Sequence, residues 1–258
     1  MDNDMKTLNI NKRQFKEINK QMDGNVILAG PCAVESYEQM SKVAQCISRH
    51  SLKYIRGGAY KPRTSPYSFQ GLGKEGLHIL KAVCDEYNLI GVTEILDIRD
   101  LDDIQSCVDI LQVGARNMYN YPLLKELGKL KKTVLLKRGF MSTYKELMLA
   151  AEYILNNGND NIIICERGIR TFETSTRNTL DLSIVALIKE DTEIPVIVDL
   201  SHSLGRKDII VPMAKASVAA GANGLMVEVH PNPDKALSDQ KQQLSINEFE
   251  NVLKNLKL

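Results

Sequence analysis

Short apolar runs alternate with longer amphipathic stretches along the chain. Runs rich in Ile, Val and Leu fall at 26–28, 54–56, 91–95, 109–113, 133–137, 162–165, 196–199 and 224–229. Between them apolar positions recur at helical spacing, over 37–50, 74–87, 143–155, 179–189, 209–220 and 246–256. The short runs lack strict alternation, which predicts strands covered on both faces, as in a parallel sheet. Eight such strands separated by helices within 258 residues predict an α/β fold, a (β/α)8 TIM barrel in a single domain over 25–258. A doubly wound open sheet has the same alternation, but no GxGxxG follows the first run. Residues 1–24 are polar and precede the first strand. They are expected to form a short N-terminal extension that packs across the barrel bottom or onto a neighbouring subunit.

Composition narrows the class. Lys and Arg number 33 against 32 Asp and Glu, a net charge of +1, which argues against a nucleic-acid partner. Aromatic residues make up 5% and Trp is absent, so base-stacking platforms are not expected. No apolar run approaches the roughly 20 residues needed to span a bilayer, and the polar N-terminus lacks the apolar core of a signal peptide. Five cysteines with no CxxC pair fit a reducing, cytoplasmic setting.

In such a barrel the chemistry gathers at the C-terminal ends of the strands. Those ends read Ala29-Gly30-Pro31-Cys32, then Arg56 with Lys61-Pro62-Arg63-Thr64-Ser65, then Thr93-Glu94 and Gly114-Ala115-Arg116-Asn117. They continue with Lys137-Arg138-Gly139, Glu166-Arg167-Gly168, Asp199-Leu200-Ser201-His202 and Glu228-Val229-His230. Any one cation here is accounted for by pairing with Glu94, Glu166, Asp199 or Glu228, or by extension into solvent. Together they concentrate positive charge on one rim, which is how a site holds anions. Guanidinium forks suit phosphate and carboxylate, and lysine adds a point charge able to move a proton.

A second set, Cys32, His202, Glu228 and Asp239, offers one thiol, one imidazole and two carboxylates, a mixed donor set for a divalent transition metal. It has no spacing signature and depends on barrel closure bringing the first and last strands together. Alone, Cys32 reads as a small buried residue or a nucleophile, and His202 as a loop histidine bonded to Asp199. His230 is the rival imidazole, outside the ligand set or on the rim. His50 and His78 read as surface residues, Cys46, Cys84 and Cys107 as core fillers, and Cys165 shares the strand parity of Arg167.

The blocks AGPC (29–32), RGGAYKPRTSPYSFQGLG (56–73), QVGARN (112–117), LLKRG (135–139), CERG (165–168), DLSHS (199–203) and VEVHPNPDKALSDQKQQL (227–244) resemble the β subfamily of the type I 3-deoxy-7-phosphoheptulonate synthases. The resemblance implies condensation of phosphoenolpyruvate with D-erythrose 4-phosphate, the first step of the shikimate pathway. It also implies one divalent metal ion per subunit, Mn²⁺ first, with Fe²⁺, Co²⁺ and Zn²⁺ as alternatives, held by Cys32, His202, Glu228 and Asp239. By the same resemblance Arg56, Lys61, Ala115, Arg116, Lys137 and Arg167 match the phosphoenolpyruvate site. Lys61, Pro62, Arg63, Thr64, Ser65 and Asp199 match the erythrose 4-phosphate site, with Lys61 and Asp199 as the catalytic pair. A bound ion would act as a Lewis acid on the aldehyde oxygen.

Related 3-deoxy-octulosonate 8-phosphate synthases carry a KANRS-like loop where this chain has Lys61 to Ser65, which favours the four-carbon sugar. A barrel that binds phosphosugars without catalysis is expected to lack a metal ligand or a phosphate cation. Many relatives have Pro where this chain has Leu200, which is expected to loosen that turn. The family resemblance further implies a homotetramer or dimer. The short stretch before the first strand is expected to hold no regulatory module, leaving weak feedback inhibition or the docking of a separate chorismate mutase.

Overall fold

The computed structural model describes Ile10, Phe15, Met22 and residues 26–256. Eight parallel strands form a closed barrel in sequence order. They are β1 (Val26–Gly30), β2 (Tyr54–Arg56), β3 (Ile90–Ile95), β4 (Ile110–Val113), β5 (Thr133–Lys137), β6 (Ile162–Glu166), β7 (Val196–Asp199) and β8 (Gly224–Glu228). β1 closes against β8 with Val26 beside Gly224 and Gly30 beside Glu228. The predicted (β/α)8 barrel is the observed fold, and all five residues of β1, β5, β6 and β8 are buried. That explains the missing alternation: helices cover one face of each strand and the barrel interior covers the other.

The helices are α1 (Tyr37–Arg49), α2 (Lys74–Tyr87), α3 (Leu101–Cys107), α4 (Tyr121–Leu127), α5 (Tyr144–Leu155), α6 (Leu182–Asp191), α7 (Leu200–Leu204), α8 (Ile210–Ala219) and α9 (Ile246–Leu256). Local chemistry starts several of them. The Ser36 side chain accepts from Gln39 N–H at the head of α1. Thr143 and Glu146 form a reciprocal capping box at the head of α5, satisfying two backbone donors that the helix itself leaves free.

Helices α3, α4 and α7 are absent from the predicted set, because one or two turns are too short to show a periodic apolar stripe. Helix α6 begins three residues after its predicted start. Thr179 instead pairs antiparallel with Ile169, and the Asp181 side chain caps the helix by accepting from Ser183 N–H.

Most of the N-terminal extension lies outside the described residues. Of those described, Ile10, Phe15 and Met22 are buried in the main hydrophobic cluster, and Ile10 N–H donates to Glu152 Oε1 at 2.6 Å. Each apolar side chain buried this way contributes about 1.5–3 kcal/mol. Gly30 ends β1 at φ +150°, where a Cβ would lie 1.9 Å from the Arg56 carbonyl oxygen. Only glycine lets β1 and β2 approach this closely beneath the site.

Candidate active site

The strand ends surround a cavity of about 230 Å³ lined by Lys61, Pro62, Arg63, Glu94, Gly114, Ala115, Arg116, Lys137, Phe140, Arg167, Arg170, Arg177, Asn178, His202 and Asp239. The KPRTS loop supplies the first three, the turn Ala115–Asn117 after β4 supplies Arg116, and the ends of β5 and β6 supply Lys137 and Arg167. At Gly114 a Cβ would lie 2.0 Å from Glu94 Oε1, so glycine lets the Glu94 side chain reach the wall.

The cations of this rim divide into two classes. Arg56 Nη1 pairs with Glu228 Oε1 at 3.0 Å and donates to the Pro31 carbonyl at 2.7 Å. Lys137 pairs with Asp199, and Arg138 Nη1 pairs with Glu166 Oε2 at 3.1 Å and Asp181 Oδ2 at 2.9 Å. For these residues the pairing expected of a buried charge is realised. Arg63, Arg116, Arg167 and Arg170 differ: among the described residues their polar partners are carbonyls or none. Arg63 Nε donates to the Phe69 carbonyl at 3.0 Å. Arg167, only 3% exposed, donates to the carbonyls of Gly168 at 3.0 Å and His202 at 3.2 Å. Burial lowers the Arg167 guanidinium below its usual range, against the pull of Asp199. Cations that line a cavity without being in ion pairs suit an anionic ligand. Arg56 Nε is also buried without a hydrogen-bond partner, and Arg56, expected at the phosphoenolpyruvate site, is not among the residues that line the cavity.

Cys32, His202, Glu228 and Asp239 converge as the sequence predicted, with their donor atoms all within 4.8 Å of one another. Cys32 Sγ donates to Asp239 Oδ2 at 3.3 Å. His202 Nε2 lies 3.4 Å from Glu228 Oε1 and 3.8 Å from Asp239 Oδ2. His202 Nδ1 points the other way, to Asp199 Oδ2 at 2.9 Å, leaving Nε2 free to ligate. Burial lowers the His202 pKa, against the pull of Asp199 and Glu228. Burial raises the carboxyl of Glu228, but His202 and Arg56 outweigh it and hold that group ionised. Asp239 is likewise held at about 2, where Arg177 and His202 overcome its burial. Burial and then Glu228 push the Cys32 thiol up to about 12, so an entering cation must displace its proton. One S, one N and two O donors, buried or half-buried and tightly grouped, fit a divalent transition metal.

Several neighbours set this geometry. Asp199 caps α7 by accepting from His202 N–H at 3.0 Å, and Leu200 occupies the first helical position where a proline is also tolerated. Ser201 Oγ accepts from Glu228 N–H at 2.8 Å, binding α7 to β8. Gln243 accepts from Cys32 N–H at 3.0 Å and donates to the Ser238 carbonyl at 2.7 Å, linking two of the donor segments. Asp239 itself sits at φ +49°, a region that aspartate tolerates better than most residues.

Not every expected residue lines the cavity. Thr64 and Ser65 are exposed beyond its wall. Asp199 is fully buried below it, touching Lys137 and His202 rather than open space. His230 is buried and lies 3.3 Å from Glu35, outside the donor set. Cys165 is fully buried near Lys137 and Asp199, its thiol pushed up to about 12 by burial. Cys46, read as core filler, also groups with exposed His50 and half-buried Glu250. Sequence reading missed Phe140, Arg170, Arg177 and Asn178. They lie beyond the strand ends, and the one signal, for Arg170 and Arg177, is the density of Arg in the loop 168–181.

Comparison with known proteins follows the same lines. The model of the DAHP synthetase I family matches residues 8–257. Phospho-2-dehydro-3-deoxyheptonate aldolase of Thermotoga maritima is 52% identical over 90% of this chain and 68% of its own length. The crystal structure of phospho-2-dehydro-3-deoxyheptonate aldolase (DAHP synthase) from that organism superposes with a TM-score of 0.88, covering the same shares of the two chains. A 2-dehydro-3-deoxyphosphooctonate aldolase of Fusobacterium nucleatum is 28% identical over 93% of this chain and 95% of its own.

Proposed function

The chain belongs to the DAHP synthetase I family, and from that premise we infer that it condenses phosphoenolpyruvate with erythrose 4-phosphate, giving the seven-carbon sugar-acid phosphate and inorganic phosphate. The observation that carries this reading is one cavity lined both by unpaired cations and by members of a metal-donor set. Two anionic substrates need the first, and an aldehyde acceptor needs an electrophilic partner such as the second would hold.

Phosphoenolpyruvate offers a carboxylate and a phosphate. Arg116 and Arg167 suit the phosphate, and Lys61 suits the carboxylate, with buried Arg56 outside the lining. Arg63, on the KPRTS loop, suits the phosphate of the sugar. Held this way, C3 of the enol phosphate faces the aldehyde carbon and attacks it. Water adds at C2, and the resulting phosphohemiketal expels phosphate by C–O cleavage. Lys61 is the group we assign to deliver a proton during this sequence. Asp199 orients Lys137 and His202 from below. Cys32, His202, Glu228 and Asp239 would hold a divalent ion, Mn²⁺ by our reading, which supplies a Lewis acid for the aldehyde oxygen.

The same proposal has an extension over 1–24 and one catalytic barrel over 25–258, a homotetramer or dimer, and docking of a separate chorismate mutase. It also includes a cytoplasmic location. No helix among the described residues is long and apolar enough to cross a membrane. Native mass measurements, alone and with added chorismate mutase, test the assembly.

The activity is tested by phosphate release from phosphoenolpyruvate with a panel of four- and five-carbon aldose phosphates. We expect erythrose 4-phosphate to exceed arabinose 5-phosphate by about 100-fold or more in kcat/KM. Comparable rates with the pentose would move the chain to the octulosonate branch.

A further inference from the structure

Three guanidinium groups stand over one aromatic ring. The Cζ atoms of Arg170, Arg167 and Arg116 lie 4.6, 4.7 and 5.4 Å from the centroid of Phe140. All four residues line the cavity. They come from three strand ends: Arg116 follows β4, Phe140 follows β5, and Arg167 and Arg170 follow β6.

The ring's negative face attracts each cation, by an amount comparable to a weak hydrogen bond. Among the described residues none of the three is in an ion pair, so three like charges share one ring with no carboxylate bound to them. The ion pairs of this rim go to Arg56, Lys137, Arg138 and Arg177 instead. Arg170 is fixed at its backbone, where its N–H donates to the Phe140 carbonyl at 2.7 Å, while its side chain is exposed at the mouth. The trio is thus a preassembled, charge-frustrated cluster whose repulsion a dianion would relieve.

We propose that Arg170 is a third guanidinium of the phosphate subsite formed by Arg116 and Arg167, with Phe140 as the platform that positions all three. The ligand is the phosphate ester of the enol substrate and, after C–O cleavage, the inorganic phosphate formed there. Phe140 is a positioning residue, since its ring holds the arginines and carries no group that bonds phosphate. The inference rests on the synthase reading given above.

The test is Arg170→Gln, with phosphoenolpyruvate and erythrose 4-phosphate varied separately. The expected result is a KM for phosphoenolpyruvate raised about tenfold, as for loss of one charge-assisted contact, with kcat and the KM for the sugar within about twofold. Competitive inhibition by inorganic phosphate should weaken in parallel. The difference from the parent should shrink as salt is raised, because Arg170 is exposed. Phe140→Leu should raise the same KM, and Phe140→Tyr, which keeps the ring, should restore it. An unchanged KM for phosphoenolpyruvate in Arg170→Gln, or a rise confined to the sugar, overturns the assignment of Arg170. Equal behaviour of the Leu and Tyr variants overturns the platform. If the parent protein released no phosphate with any aldose phosphate, the synthase reading would fail instead, so the two failures are distinct.

Discussion

Lys61 Nζ lies 3.1 Å from Cys32 Sγ and 2.9 Å from the Cys32 carbonyl oxygen. One ammonium thus touches the metal-donor set while lining the anion cavity. No other lysine among the described residues is hydrogen-bonded to a member of that set. The lysine we assign as proton donor and the residues proposed to hold the metal are therefore neighbours.

Replacing that ammonium should be costly. Lys61→Met is expected to lower kcat by about 10²–10⁴, the range for a positioned acid or base. Lys61→Arg should not restore it, because a guanidinium keeps its proton and its fork does not fit the same space. Steady-state kinetics check this. Full activity in the Arg variant would reduce Lys61 to a charge.

Chelation should abolish turnover, and a divalent ion such as Mn²⁺ should restore it. Cys32→Ala is expected to weaken metal retention by about tenfold or more, since one of four donors is lost. Elemental analysis after dialysis reads the outcome. Unchanged metal content together with full activity would remove Cys32 from the ligand set.

Asp199→Asn tests the layer beneath the cavity. The carboxylate is held well below its ordinary pKa despite burial, by His202 and by Lys137. Its loss leaves Lys137 without a buried counter-charge and loosens the His202 ring. Metal affinity is expected to fall about 10–100-fold, measured by competition with a chromophoric chelator. A variant with wild-type affinity would show that the imidazole is oriented by backbone contacts alone.

Away from the site, Thr143→Ala should affect stability and nothing else. It removes the capping box of α5, worth about 1 kcal/mol. For a chain of this size that lowers Tm by about 2–4 °C. Thermal melting and kinetics on the same preparation decide it, and a loss of activity at unchanged Tm would contradict the assignment.

The sequence alone determined the fold and the chemical character of the rim. Eight buried apolar runs with helices between them admit few closed arrangements, and the charges at their ends follow from strand polarity. Ligand types were legible too, because thiol, imidazole and carboxylate at strand ends announce themselves one residue at a time. Which cations are already neutralised was not legible. Arg56 meets Glu228 across 172 residues, and Cys32 meets Asp239 across 207, only because β1 closes on β8. Asp199 looked like a group facing substrate and is instead a buried support, since its side chain turns under Lys137 and His202. Arg170 and Phe140 carried no periodic or motif signal. Their backbones are joined by one loop-to-loop hydrogen bond, and the ring gathers three arginines from two different strand ends. Strand order and polarity are local properties repeated along the chain, whereas pairing of charges is a contact between distant segments that exists only after the barrel closes.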